Sequence, residues 1–222
     1  ALVATVHERT PHAKLPAPLR GMDVVAYTRE KVAPMVRGLF APDEQEVVHG
    51  ILARSVIFLT PDNIEAVLTE TPWLATVWDL ANLYLAAFDA QLLSGKARPI
   101  LGLSQETTCY VSTDYFHSNG RFEDFVVHEA AHIFHNCKRE RVGMRVNRGR
   151  EWLLEIDYRK RELFAYACEA FSRILEQSNG RAGRRALLSE LEKGHRPGDD
   201  RVDADEYIDV LREAVDARNG WK

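Results

Sequence analysis

Residues 125–134 read FVVHEAAHIF, an apolar run that contains two histidines and one glutamate. Its apolar positions, with no Pro or Gly between residues 121 and 142, predict an α-helix over Arg121–Lys138. His128 and His132 are four residues apart, so their imidazoles lie on one face of that helix, one turn from each other. Buried imidazole and carboxylate groups are costly unless they are paired or bind a metal. The stretch therefore predicts a helix with a metal site on one face.

The five residues His128–His132 form the pattern H-E-x-x-H. In this pattern both histidines reach one metal ion, and the glutamate between them, Glu129, can take a proton from water at that metal. The bare pattern also arises by chance. Because a catalytic zinc usually takes three protein ligands and keeps a fourth position for water, a third ligand is expected elsewhere in the chain.

Two nearby histidine arrangements do not supply that ligand. The longer pattern H-E-x-x-H-x-x-G-x-x-H requires a histidine six residues after His132, where this chain has Lys138. His135 follows His132 by three residues and points roughly the same way. We interpret His135 as a surface histidine or as one that supports a ligand from behind.

Glu162, thirty residues after His132, is the preferred third ligand. It lies among Leu163, Phe164, Ala165 and Ala167, where an unpartnered carboxylate would be expensive. Alternatively, Glu162 is a surface residue paired with Arg159 or Arg161. Three other residues are weaker candidates for the third ligand: Glu155, Asp157 and His195.

Glu169 competes with Glu162 for the ligand role because it lies two turns further along the same face. It could instead accept a hydrogen bond from a ligand histidine and fix its tautomer. Tyr166, four residues after Glu162, could act in a similar way. The choice between the two glutamates stays open at the level of sequence.

An H-E-x-x-H helix followed one loop and one helix later by a glutamate in an E-x-x-A setting resembles the gluzincin metallopeptidases. The segment Glu162–Ala165 is similar to the glutamate helix of several of them, including bacterial toxin proteases of the lethal-factor type. The resemblance covers about residues 122–175. It implies one zinc ion held by His128, His132 and Glu162, with Glu129 as the general base, in an enzyme that hydrolyses a protein or peptide substrate.

Peptide hydrolysis also needs a donor that stabilises the oxyanion beside the metal. Tyrosine, histidine or arginine fills this role in related enzymes. The candidates in this chain are Tyr115, His117, His135, Tyr158 and Tyr166. We take Tyr166 as the catalytic candidate, although each of these tyrosines can equally be a core or rim aromatic.

The chain of 222 residues, with 45% hydrophobic and 28% charged residues, suits one globular domain. We predict an α+β fold, a mainly helical zincin-like domain over 22–222 with a small sheet preceding the H-E-x-x-H helix and C-terminal helices from about 181. Prolines and polar residues in 1–21 predict an extended N-terminal arm without its own core.

Local patterns assign the elements. Strands are predicted at 56–59 and 107–113, a short strand or connection at 97–103, a turn at 117–120, a short helical or mixed segment at 22–40, and helices at 62–69, 71–94, 155–177, 184–193 and 204–217. The resemblance to the gluzincins implies that the strand over Thr108–Thr113, which precedes the motif helix, is an edge strand that could bind an extended peptide by strand addition.

Charge and composition exclude several functions. A net charge of −4 gives no electrostatic reason to expect nucleic-acid binding. The basic run at 138–161 is interpreted as a solvated surface, and the alternative is that it recognises an acidic substrate. Polar residues interrupt the apolar stretch 73–93, which favours a buried helix over a membrane span. Three cysteines and no signal-peptide pattern predict reduced thiols and a cytoplasmic location.

Two other functions stay open. A deformylase-like hydrolase would use H-E-x-x-H with an upstream cysteine as third ligand, for which Cys109 is the candidate, although its surroundings match that family poorly. A non-catalytic binding module could hold a structural metal or none. The chain has no phosphate-binding loop and no G-x-S-x-G pattern, so nucleotide and serine-hydrolase chemistry have no support.

Overall fold

The fold is mainly helical and contains one three-stranded sheet. The structure is a computed structural model that describes residues 1–94, 101–117, 120–146, 149–194 and 196–222. Strands β1 (Val56–Phe58), β2 (Gly102–Gln105) and β3 (Thr108–Val111) form one sheet in the order β1–β3–β2. β1 runs parallel to β3, and β2 runs antiparallel to it. The predicted α+β class, mainly helical with a small sheet, is confirmed.

Helices contain most of the residues that the structure describes. They are α1 (Leu2–Arg9), α2 (Val24–Leu39), α3 (Pro42–Ala53), α4 (Ile64–Glu70), α5 (Leu74–Ala87), α6 (Phe125–Asn136), α7 (Arg161–Gln177), α8 (Gly180–Gly194) and α9 (Ala204–Asp216). None of the helices in the described part of the chain combines the length and apolar character that a membrane crossing requires.

Three groups of buried apolar side chains organise these elements. The first joins α2, α3, α6 and the sheet, the second joins α7, α8 and α9, and the third joins α1, α4 and α5. The motif helix α6 packs against β2, β3, α2 and α7, and all its residues from Val126 to His135 are buried. The H-E-x-x-H pattern therefore lies between the sheet and α7.

The predicted extended arm over 1–21 is wrong at its start, where residues 2–9 form α1. This helix packs on α4 and α5, and Val6 has no exposed surface. Most helical stability in proteins comes from packing. Packing on α4 and α5 therefore stabilises α1, although the composition of residues 1–21 did not indicate a helix.

Two predicted helix starts are wrong because side chains bind the backbone there. The Thr71 hydroxyl donates to the carbonyl of Val67, so Thr71 closes α4, and α5 begins only at Leu74. The Glu155 carboxylate accepts the backbone N–H groups of residues 151 and 152, and Asp157 caps a short 3₁₀ turn. Such local bonds compete with the helix, and α7 begins at Arg161 rather than Glu155.

The prediction that Thr108–Thr113 forms an edge strand is also wrong. β3 pairs with β1 on one side and with β2 on the other, so it is the central strand. The two-residue turn Glu106–Thr107, in which Glu106 has a φ of +52°, connects β2 to β3. The strand next to α6 at the margin of the described sheet is therefore β2. Residues 118 and 119 of the predicted turn lie outside the described residues. The end predicted for the 71–94 helix at Ser94 is wrong, because α5 already ends at Ala87.

Candidate metal centre

Two helices bring three ligand atoms together. His128 and His132 extend from α6, and their Nε2 atoms lie 3.3 Å apart. Glu162 extends from the first turn of α7, and its Oε2 atom lies 3.8 Å from His128 Nε2 and 3.6 Å from His132 Nε2. Among the described residues, these three side chains form a group that could hold a metal ion. Two imidazole nitrogens and one carboxylate oxygen are the donor set of many catalytic zinc sites.

The surroundings of Glu162 differ from those predicted. Its side chain is 24% exposed, and its carboxylate contacts His128, His132 and Arg201 rather than apolar groups alone. Its ionic partner is Arg201, whose Nη2 lies 3.1 Å from Oε1, rather than Arg159 or Arg161. The adjacent His128 is the main cause that lowers the pKa of Glu162, and His132 and Arg201 act in the same direction against the effect of burial.

Glu169 lies behind His128 and outside the group of three. Its Oε2 accepts a hydrogen bond from His128 Nδ1 at 3.1 Å, and its Oε1 accepts the backbone N–H of Asp124 at 2.6 Å. Asp124 is the N-cap of α6, where its own carboxylate accepts the N–H of Val127. Glu169 thus connects α7 to the start of α6. Burial lowers the pKa of His128, but Glu162 and Glu169 outweigh it and raise this pKa to about 10.

His135 lies behind His132. Its Nε2 is 3.3 Å from His132 Nδ1, and the residue is 4% exposed, so it is not a surface histidine. Burial and the neighbouring His128 lower the pKa of His132 to about 3. Burial and Arg161 lower the pKa of His135 to about 4. Both rings are therefore neutral at pH 7.

Glu129 points toward the sheet strand β2. The residue is 7% exposed, and a Cβ atom on Gly102 would lie 2.6 Å from its Cγ. The Ser104 hydroxyl forms a hydrogen bond with its carboxylate. Burial raises the pKa of Glu129 to about 7, against the lowering effects of His128 and Ser104. Gly102 and Ser104 both adjoin Glu129 because residues two apart in a strand lie on the same face of the sheet.

Tyr166 contacts the site through His128. Its ring packs edge-on against this histidine with centroids 4.6 Å apart, and the backbone of Gly198 hydrogen-bonds to its hydroxyl. Burial is the main cause that raises the Tyr166 pKa to about 12, so the phenol keeps its proton at neutral pH.

The other predicted candidates have different positions. Tyr115 is buried, and its hydroxyl contacts Asp124 and Tyr27 away from the ligands. Tyr158 is 78% exposed and stacks with Arg161. His117 follows a 3₁₀ turn, Glu155 and Asp157 bind backbone N–H groups, and His195 lies outside the described residues.

Sequence reasoning did not find Gly102, Ser104, Asp199 and Arg201. Asp199 and Arg201 belong to the α8–α9 connection, where Asp199 accepts hydrogen bonds from Arg201 Nε at 2.9 and 3.0 Å. No local motif marks these residues, because packing of distant segments brings them to the site.

A cavity of about 840 Å³ lies elsewhere. Leu163, Phe164 and Ala167 of α7 line it together with Trp221, but His128, His132 and Glu162 do not. The chemistry of the donor set, rather than cavity volume, identifies the candidate site.

Three basic residues of the run at 138–161 form ion pairs with acidic residues. Arg139 is buried and paired with Glu44, Lys138 pairs with Glu151 and stacks on Trp152, and Lys160 pairs with Glu206. These contacts favour a structural role for the run over recognition of an acidic partner.

Comparisons of the chain with protein-family models, with curated proteins and with solved structures gave no match.

Proposed function

We propose that the chain is a zinc-dependent peptidase of the gluzincin kind. The observation that carries the proposal is the convergence of His128, His132 and Glu162 from two helices, with the buried carboxylate of Glu129 on the same motif. When bound, zinc would polarise the peptide carbonyl and lower the pKa of water at the site. His128 and His132 would bind it through Nε2, and Glu162 through Oε2.

Glu129 would act as the general base. A general base works best when its pKa lies near the working pH, and burial raises the pKa of Glu129 to about 7. It can therefore accept a proton from water and pass it to the leaving amine. Gly102 leaves room for the carboxylate, and the Ser104 hydroxyl hydrogen-bonds to it.

Strand β2 would align the substrate. It is an antiparallel strand at the margin of the described sheet, next to Glu129. An extended peptide can add to such a strand through main-chain hydrogen bonds. This arrangement moves the predicted role in peptide binding from β3 to β2.

Tyr166 would be a proton donor near the reacting carbonyl. Its raised pKa keeps the phenol protonated, and its ring lies against His128. The hydroxyl lies close to Gly198 of the α8–α9 connection, so this segment would influence its direction.

A deformylase-like site is less well supported. Cys109 is fully buried on β3, and among the described residues it does not belong to the group of potential ligands. Burial raises the pKa of its thiol, which opposes the thiolate form that a metal requires.

The three cysteines are free, in agreement with a reducing compartment such as the cytoplasm.

The test compares zinc-loaded wild type with Glu129→Gln on a library of unfolded protein fragments, with cleavage products identified by mass spectrometry. We expect cleavage by the wild type and a loss of about 10²- to 10⁴-fold in Glu129→Gln, because the amide cannot accept the proton. Zinc content should be equal in both. The matched control is Glu65→Gln on α4, an exposed site.

Equal cleavage by Glu129→Gln and the wild type would refute the proposed role of Glu129. A wild type that binds zinc and cleaves nothing in the library would instead favour a binding module with a structural metal.

A further inference from the structure

We propose that His135 is a positioning residue that holds His132 in the tautomer able to bind the metal. The inference rests on the metal site of the proposed function and assigns a role to a residue outside its ligand set. His135 lies one helical turn beyond His132 on α6, so both side chains are on the same face.

The geometry supports a direct bond between the two rings. His132 Nδ1 and His135 Nε2 are 3.3 Å apart, and the ring planes are nearly perpendicular, at 83°. His132 is 8% exposed and His135 4%, so little water competes for this contact. A hydrogen bond in such surroundings restricts both rings strongly.

The direction of this bond decides whether His132 can bind a metal. A neutral imidazole carries one proton, on either Nδ1 or Nε2. When His132 binds through Nε2, its proton is on Nδ1 and is donated to His135 Nε2. If His135 donated instead, His132 would carry its proton on Nε2 and could not be a ligand through that atom. Metal binding therefore selects His135 as the acceptor.

The acceptor role fixes the tautomer of His135 as well. Its Nε2 must be unprotonated, so its proton is on Nδ1. Among the described residues, His135 Nδ1 is a buried atom with no hydrogen-bond partner. A buried unpaired donor is costly, and an apolar side chain would pack at this position without that cost. The acceptor role accounts for a histidine here.

The two ligand histidines thus have different supports. His128 donates to the carboxylate of Glu169, which is the common arrangement for a metal ligand. His132 donates to a neutral imidazole. Ring orientation and tautomer are fixed in both cases, but only His128 has a negative charge behind it.

The experiment compares zinc affinity, by competition with a chelator, in the wild type, His135→Leu and His135→Gln. Leucine removes the acceptor, and we expect zinc affinity to fall by about 10- to 100-fold. The glutamine Oε1 atom reaches about as far as histidine Nε2 and can accept the bond. We therefore expect His135→Gln to retain affinity within a few-fold of the wild type.

His49→Leu is the matched control. His49 is a buried histidine whose Nδ1 also has no partner among the described residues, but it lies on α3, away from the ligands. This variant should bind zinc as the wild type does. A second readout is the ¹⁵N NMR spectrum of the zinc-loaded protein, in which His132 Nδ1 and His135 Nδ1 should both carry protons.

Wild-type zinc affinity in a folded His135→Leu would overturn the inference, as would equal losses in folded His135→Leu and His135→Gln. Protonation of His135 Nε2 in the zinc-loaded protein would overturn it without any variant. These results leave the proposed peptidase untouched, whereas a wild type that binds no zinc refutes both.

Discussion

Arg201 Nη2 lies 3.1 Å from Oε1 of Glu162, whereas the Nε2 atoms of His128 and His132 lie 3.8 and 3.6 Å from Oε2. The arginine therefore pairs with the oxygen that the proposed metal does not need. Asp199 accepts hydrogen bonds from Nε of the same guanidinium. The α8–α9 connection thus contacts the Glu162 carboxylate through Oε1 and leaves Oε2 for the proposed metal.

Replacing Arg201 by alanine should have a small effect on zinc binding. The arginine side chain is 65% exposed, and exposed ion pairs contribute about 0.2–1 kcal/mol, so affinity should fall by less than about fivefold. Chelator competition at 0.15 M salt measures this. An increase in zinc affinity would show that Arg201 competes with the metal for Glu162, contrary to the geometry.

Zinc affinity should still rise with pH at pH values well above the ordinary pKa of histidine. In the metal-free protein the His128 pKa is about 10, so zinc must displace a proton from His128 at any pH below that value. Log K should rise by about one unit per pH unit between about pH 7.5 and 9. A ligand histidine with the ordinary pKa of about 6.5 gives a flat profile there.

Glu169→Gln provides the comparison for this pH profile. The substitution removes a negative charge behind His128 and lowers its pKa, so the rise between about pH 7.5 and 9 should become shallower. The measurement is the same chelator titration at several pH values. A wild-type profile without slope would contradict the assignment of a protonated His128 to the metal-free protein.

A methyl group at Gly102 should separate catalysis from metal binding. The Cβ atom of Gly102→Ala would overlap the Glu129 carboxylate and displace it. A displacement of about 1 Å of a catalytic group can cost about 10²-fold in rate, whereas zinc binding by His128, His132 and Glu162 should persist.

The control for this substitution is Gly50→Ala on α3. An alanine there meets only the flexible end of Arg54 at 3.5 Å, and alanine in a helix stabilises by about 0.5–1 kcal/mol relative to glycine. Peptide cleavage and zinc content should both stay at the wild-type level. Full activity in Gly102→Ala would show that Glu129 is not held by β2.

The sequence predicted the parts of the site that depend on one helix. His128, Glu129 and His132 share a face because of their spacing alone, and the Asp124 cap together with apolar neighbours supports the helix. Glu162 was also found from sequence, although for an incomplete reason: its carboxylate is half-buried beside Arg201 rather than enclosed by apolar residues.

Residues supplied by other segments could not be predicted in this way. Ser104 reaches Glu129 only because β2 packs on α6, and Arg201 reaches Glu162 only because α9 packs on α7. The first helix was missed for a related reason, since its stability comes from contacts of residues such as Val6 with α4 and α5. Each case depends on packing between segments far apart in the chain.

The most direct test of the account is the zinc content of purified wild type, His128→Ala, Glu162→Ala and Cys109→Ser after dialysis against a weak chelator. We predict about one zinc per chain in the wild type and in Cys109→Ser, and loss of zinc in the other two variants. Retention of wild-type zinc by a folded Glu162→Ala, or its loss only in Cys109→Ser, would contradict the proposed ligand set.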